Sequence, residues 1–276
     1  MITALDEAKA LAAQALAPGF PTYEVLAVRY GTRMTTRADC YLDYGRLGEP
    51  DAPLGMDYFF WLLRSDEQTI LVDIGFDPPV GARRGRTLLC DPLEALGRLG
   101  VRPASVKQII VTHLHYDHIG QLAAFPNAEL IVQRRELDFW LDPAASAEQA
   151  GHVEPRELAH VAAAFDAGRV RVLDGAAIVA PGIGAVLVGG HSPGQQSLVV
   201  RTQGSPILLT SDAVHYYEEL ERNLQFIFVV DLDDMKAGYT TLEALARHTG
   251  ATLVPGHDPE VAEHFPPVDD FAFRLD

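Results

Sequence analysis

The stretch of this chain best equipped for chemistry is Thr112-His113-Leu114-His115-Tyr116-Asp117-His118-Ile119-Gly120, which sits directly after the apolar run Gln108 to Val111. In an extended segment alternate side chains share a face, so His113 and His115 point the same way, while a turn after them aims Asp117 and His118 at a neighbouring position. Two adjacent metal positions follow from that one loop. Imidazole nitrogen and carboxylate oxygen are the donors that suit zinc and similar divalent ions, at roughly 2.0–2.2 Å. The competing reading is a polar surface loop that happens to be rich in histidine, in a chain with 10 of them. Four ligand-type side chains in so short a span at a strand end argue against it.

The elements around this loop read as follows. Residues 3 to 16 place Leu5, Ala8, Leu11, Ala12 and Leu16 at helical spacing before Pro18 and Gly19, predicting an outer N-terminal helix. Tyr23 to Tyr30, Tyr58 to Leu63 and Thr69 to Asp73 read as strands, the last two joined as a hairpin by the polar turn Arg64 to Gln68. Pro92 to Leu99 reads as a helix, Gln108 to Val111 as a buried strand, and a further helix is expected to begin near Gly120. Asn127 to Gln133 is another strand pattern, followed by helices at Arg135 to Leu141 and Pro155 to Ala167. Short β-type runs recur at Arg169 to Leu173, Ala185 to Val188, Ser197 to Arg201 and Pro206 to Thr210, then a helix at Met235 to Thr249 and a strand at Thr252 to Pro255. Two groups of strands, each followed by helices, predict an α+β fold of two packed sheets with helices outside. The expected organisation is a helical extension over 1–20 and a single domain over 21–276, with a helical insertion near 134–167 that could cover a site or make a homodimer contact.

The pattern H-x-H-x-D-H after an apolar strand and a threonine resembles the signature of the metallo-β-lactamase superfamily, and other pieces fall into its order. Asp73-Ile74-Gly75 resembles that family's strand-end aspartate, which typically holds the histidine loop in place. Gly189-Gly190-His191-Ser192-Pro193-Gly194 resembles its glycine-histidine loop, Thr210-Ser211-Asp212 its metal-bridging aspartate, and Pro255-Gly256-His257-Asp258 its last histidine. Singly, His191, Asp212 and His257 are ordinary loop, cap or turn residues. Their joint order over residues 58 to 258 is what carries the likeness. The resemblance implies an αββα sandwich of two packed mixed β-sheets, with two zinc ions on His113, His115, Asp117, His118, His191, Asp212 and His257; iron and manganese are the alternatives.

Such a centre implies hydrolysis by a hydroxide bridging two metals, whose proton affinity the metals lower toward ~7. Asp117, facing the metals, is the natural group to move the proton to the leaving oxygen. The surroundings of residues 189 to 217 resemble N-acyl homoserine lactonases and pyridoxolactone hydrolases most closely, which implies opening of a lactone or related cyclic ester. In those lactonases a tyrosine commonly lies three residues beyond the bridging aspartate; here that position is His215, with Tyr216 and Tyr217 next. His215 and Tyr216 are therefore the candidates for contacting the substrate. Phe59, Phe60, Phe139, Trp140, Phe226 and Phe228 are candidates for an acyl groove, though aromatics at such spacing are more often core. The alternatives are a cyclic amide, imide, thioester or phosphotriester hydrolase of the same fold, or a mononuclear-iron persulfide dioxygenase. With 38 acidic residues against 22 Lys plus Arg, the net charge of -16 disfavours nucleic acid and anionic membranes as partners, leaving a small-molecule substrate. Two isolated cysteines, no apolar run near 18 residues, and Asp6, Glu7 and Lys9 in the opening stretch lead to the expectation of a cytoplasmic protein.

Overall fold

Every residue from Met56 to Leu63 is buried, so this strand needs a covering layer on each of its faces. The computed structural model, which describes residues 3–144 and 146–276, supplies both layers. Residues 1, 2 and 145 of the expected extension and insertion lie outside the described residues.

One mixed sheet contains β1 (Glu24–Thr36), β2 (Pro53–Arg64), β3 (Thr69–Val72), β4 (Thr87–Leu88), β5 (Gln108–Ile110), β6 (Glu129–Gln133), β7 (Val170–Leu173), β13 (Pro267–Asp269) and β14 (Ala272–Arg274). Its order is β13-β14-β1-β2-β3-β5-β6-β7, with β4 paired to the far end of β1. The second sheet runs β12 (Thr252–Pro255), β11 (Ile207–Ser211), β10 (Gln196–Val200), β9 (Ile183–Leu187), β8 (Ala177–Ala180). Pairing is antiparallel from β8 to β11 and parallel between β11 and β12.

Because strand side chains alternate, Phe59, Trp61 and Leu63 face one way, and there they meet Leu198, Val200, Ile207 and Leu209 of the other sheet. Phe60 and Leu62 face the other way, into a second core closed by outer helices. The expected αββα sandwich is therefore present. Thr3 caps the N-terminal helix Ala4–Ala15 through a reciprocal pair with Asp6, and Ala8, Leu11, Ala12 and Ala15 are buried. Its apolar stripe packs against β9, where Gly184 leaves room for Leu11 and Ala15, and against the helix Leu232–Thr249. Among the described residues no helix is long and apolar enough to cross a membrane.

Several elements differ from expectation. Strands β1 and β2 form a longer ribbon than their apolar stretches indicated, continuing past a one-residue register shift between Arg29 and Gly31 to pair Thr36 with Pro53. The pairs β8 with β9 and β13 with β14 were not anticipated, being too short to carry a periodic signal. The helix expected to begin near Gly120 is instead a single turn, Tyr116–Ile119, that ends there. Gly120 donates to the Gly75 carbonyl at 2.8 Å, and a Cβ at this position would lie 2.2 Å from Asp77 N. That contact pins the histidine loop to the end of β3 and stops the helix.

Trp61 is fully buried between the sheets, and its Nε1 has no partner among the described residues. Trp61→Ala should cost ~3–5 kcal/mol of stability, seen as a lower denaturant midpoint. Trp61→Phe, which removes the unpaired donor but keeps a ring, should cost less. An unchanged midpoint in Trp61→Ala would show that cohesion of the two sheets does not depend on this contact.

Candidate metal centre

Four loops converge at one edge of the sandwich. Residues 112–119 follow β5, the loop 188–195 joins β9 to β10, Asp212 follows β11, and His257 follows β12. Ser211, the last residue of β11, takes a positive φ of 48°, a costly conformation for a non-glycine residue, and turns the chain so that Asp212 faces the cluster.

The side chains fall into overlapping groups. Donor atoms of His113, His115 and His191 lie within 4.8 Å of one another, as do those of Asp117, His118 and His257; His113, His118 and Asp212 join the two. His191, Asp212 and His215 form a further group. Asp212 Oδ2 is 3.4 Å from His191 Nε2 and 3.1 Å from His257 Nε2, while its Oδ1 is 3.3 Å from His118 Nε2. All seven side chains expected as ligands are buried and meet here.

Hydrogen bonds outside the cluster fix which nitrogen looks inward. His191 Nδ1 donates to the Phe228 carbonyl at 2.9 Å and His257 Nδ1 to the Asp57 carbonyl at 2.7 Å. A carbonyl only accepts, so both Nε2 atoms face the centre, where that of His191 meets His115 Nδ1 at 2.9 Å and that of His257 meets Asp212 Oδ2 at 3.1 Å. His118 Nδ1 is held by Asp73 Oδ2 at 2.7 Å, leaving Nε2 inward as well. Burial, reinforced by neighbouring imidazoles, pushes the pKa values of His113, His115 and His191 well below the ordinary histidine value, so these rings are neutral. Burial opposes the charge of Asp212, but His257, His118 and His215 hold its carboxyl well below the usual range. The buried Nε2 atoms of His113 and His118 have no hydrogen-bond partner among the described residues. Imidazoles whose inward nitrogens surround a shared carboxylate are a donor set that fits divalent metal.

Three buried acids brace these loops. Asp73, at positive φ 59° after β3, accepts from Thr112 N at 2.8 Å, Thr112 Oγ1 at 2.7 Å and His118 Nδ1, the positioning role expected for it. Glu136 was not anticipated. It accepts from Leu114 N at 2.7 Å, Ser192 Oγ at 2.7 Å and Gly194 N at 2.8 Å, tying the His113 loop to the His191 loop. A Cβ on residue 194 would lie 2.3 Å from Glu136 Cβ, so only glycine admits this approach. The one signal in sequence was its place on the buried stripe of the helix Arg134–Trp140, alongside Leu137 and Trp140. Glu219 accepts from the backbone of His215 and Tyr216 at 3.1 and 3.2 Å, and from Tyr239 Oη at 2.6 Å.

His215 and Tyr216 part company. The His215 ring stacks on Phe226 at 3.5 Å, with Nε2 3.3 Å from Asp212 Oδ2, and it lines the cleft above the cluster. Burial works against its protonation, but Glu219 and Asp212 raise its pKa to about 9. Tyr216 is extended, so its side chain points the opposite way. Its hydroxyl donates to the Gly55 carbonyl at 3.1 Å and lies beside Cys40, and it is absent from the cleft lining. The expectation that Tyr216 reaches the substrate is corrected accordingly.

The phenols that do line the cleft are Tyr58 and Tyr116, both outside the sequence-based site. Of the aromatics considered for a groove, Phe226 and Phe228 line the cleft of about 190 Å³, whereas Phe59, Phe60 and Trp140 are core.

A two-sheet sandwich with a histidine and aspartate cluster on one edge is the architecture of a class of metal-dependent hydrolases. The chain belongs to the metallo-beta-lactamase superfamily, whose sequence pattern matches residues 57–257. The N-acyl homoserine lactonase AttM of Azorhizobium caulinodans is 35% identical over 169 residues, covering 60% of this chain and 64% of that relative, just under two thirds of its length. The N-acyl homoserine lactonase AiiA of Bacillus thuringiensis subsp. kurstaki is 30% identical over 207 residues, or 68% of this chain and 77% of the relative. Among solved structures, a quorum-quenching N-acyl homoserine lactone lactonase superposes with a TM-score of 0.76 at 25% identity, covering 90% of this chain and 98% of that one.

If Asp73 and Glu136 act by holding donors in place, Asp73→Asn and Glu136→Gln should each weaken zinc affinity by ~10–100-fold while the far-UV circular dichroism is retained. Competition with a chromophoric chelator reads this directly. Wild-type affinity in both variants would assign these acids to the fold alone.

Proposed function

We propose that the protein is a hydrolase that opens a lactone or closely related cyclic ester with the help of two divalent metal ions, zinc being the best match to the donors. His113, His115 and His191 would hold one ion, Asp117, His118 and His257 the other, with Asp212 between them. The observation that carries this reading is the pair of three-donor groups sharing one carboxylate at the base of a cleft. Its membership of the superfamily and its similarity to homoserine lactonases support the choice of substrate class. The mononuclear-iron alternative accounts for only one of the two groups.

When bound, the ions supply a nucleophile from water at neutral pH and polarise the ring carbonyl. The chain's own residues do the rest. Asp117 is positioned through its backbone carbonyl, which accepts from Tyr30 Oη at 2.7 Å, and its carboxylate faces the cleft. There it takes the proton of the attacking water and returns it to the ring oxygen as the ester bond breaks. His215 lines the cleft with its Nε2 3.3 Å from Asp212 Oδ2, and it is the imidazole placed to donate to a substrate oxygen there. Phe226 and Phe228 pack the apolar part of the substrate. The free thiols of Cys40 and Cys90 fit a reducing, cytoplasmic setting.

Metal analysis of the purified protein should give about two zinc ions per chain, and a panel of lactones, thioesters and phosphotriesters should show preferential lactone opening. His118→Ala and Asp212→Asn should each fall below roughly 1% of wild-type turnover. One iron per chain without hydrolysis, or full activity in either variant, would overturn the proposal.

A further inference from the structure

The cleft above the cluster has two unlike kinds of lining. Phe226 and Phe228 supply apolar lining; Arg33 and Arg86 supply cationic lining. Strands β1 and β4 pair with Thr32 opposite Thr87, and the next positions along that register are Arg33 and Arg86. Like charges directly opposite one another on paired strands repel, an arrangement that folding alone does not favour.

Among the described residues neither is paired directly with a carboxylate, although Asp117 acts on Arg86 from a distance. Many other arginines are matched with acids, such as Arg84 in the same cleft, 2.7 Å from Glu154, and Arg37, 2.5 Å from Glu218, while Arg169, Arg171 and Arg201 are spent on backbone carbonyls away from the cleft. Among the described residues neither Arg33 nor Arg86 has a carboxylate within 4.0 Å, although acidic residues outnumber basic ones 38 to 22 in this chain. Their contacts are neutral. Arg33 Nε approaches Met56 Sδ at 3.2 Å, while Arg86 Nε donates to Tyr116 Oη at 2.9 Å and one of its terminal nitrogens to the Arg84 carbonyl at 2.6 Å. These contacts hold the guanidinium groups in place without cancelling their charge. Both side chains are half-buried, where screening by water is reduced.

Arg86 is also within reach of the reacting centre. The Arg86 guanidinium carbon is 5.8 Å from the centre of the Tyr58 ring, whose own centre is 5.0 Å from that of the His257 imidazole. A short arm on a ring held at the cluster spans that gap.

We propose that Arg33 and Arg86 form an anion subsite and that the substrate is a lactone bearing a carboxylate on a short side arm. This deepens the lactonase reading, on which it rests for the identity of the ring. Guanidinium groups take carboxylate in paired, charge-assisted hydrogen bonds, and such bonds correspond to about 10–100-fold in affinity.

The test uses the metal-loaded protein and a matched pair, N-succinyl-homoserine lactone and its methyl ester, with the corresponding N-succinyl-3-aminopyrrolidin-2-one and its methyl ester as unreactive lactams. The charged lactone should be favoured about 10–100-fold in kcat/KM, and the charged lactam should bind tighter by a similar factor in calorimetry. Both preferences should shrink as NaCl rises from roughly 0.05 M to roughly 0.5 M. In R33Q/R86Q they should approach unity, and in Arg86→Lys, which keeps the charge, most of the preference should remain. Equal binding of the charged and neutral lactams by the wild type overturns the subsite, even if both lactones are opened. Selective binding of the charged lactam with no lactone opened supports the subsite and overturns the ring assignment instead.

Discussion

Donor atoms carried by four separate stretches of chain can meet only if the ends of strands from two different sheets lie at one edge, and that alignment is set by how the sheets pack. The interdigitation of Phe59, Trp61 and Leu63 with Leu198, Val200 and Leu209 is thus more than cohesion, since it fixes the distance between His113 after β5 and Asp212 after β11. A shift of one sheet on the other by a single residue spacing, ~3.3 Å, would exceed the tolerance of any metal site. The catalytic edge inherits its accuracy from an apolar interior that touches no ligand.

That accuracy is refined by carboxylates that the interior would normally reject. Asp73, Glu136 and Glu219 are fully buried, a costly placement unless each is saturated with hydrogen bonds. Each accepts from backbone amides of loops that carry donor residues or line the cleft, so the desolvation cost falls where loops must not move. The glycines at 120 and 194 play the complementary part, removing bulk where two backbones must nearly touch.

How much of this was legible in the sequence depended on how local each feature is. The His113 to His118 loop could be read because its donors lie within one turn of chain and their alternation is a property of an extended backbone. The resemblance then located His191, Asp212 and His257. Glu136 is as near the centre as any of them, but it acts through contacts with residues 22 and 56 positions away and has no motif of its own. Tyr216 failed for the opposite reason. It neighbours a genuine cleft residue, and in an extended segment a neighbour points away, so proximity in sequence became distance in space. Arg33 and Arg86 were equally silent, because their meeting depends on β4, a strand of two residues.

The segments that shape the cleft walls have an evolutionary consequence. Arg33, Arg86, His152 and Phe228 come from parts of the chain that contribute no donor to the histidine and aspartate cluster. Natural variation in these walls can accumulate while the bond-breaking apparatus is inherited intact. A lineage carrying this scaffold is therefore free to exchange one diet for another by drift in a strand end, a hairpin tip and a short loop, and never has to pass through an inert ancestor.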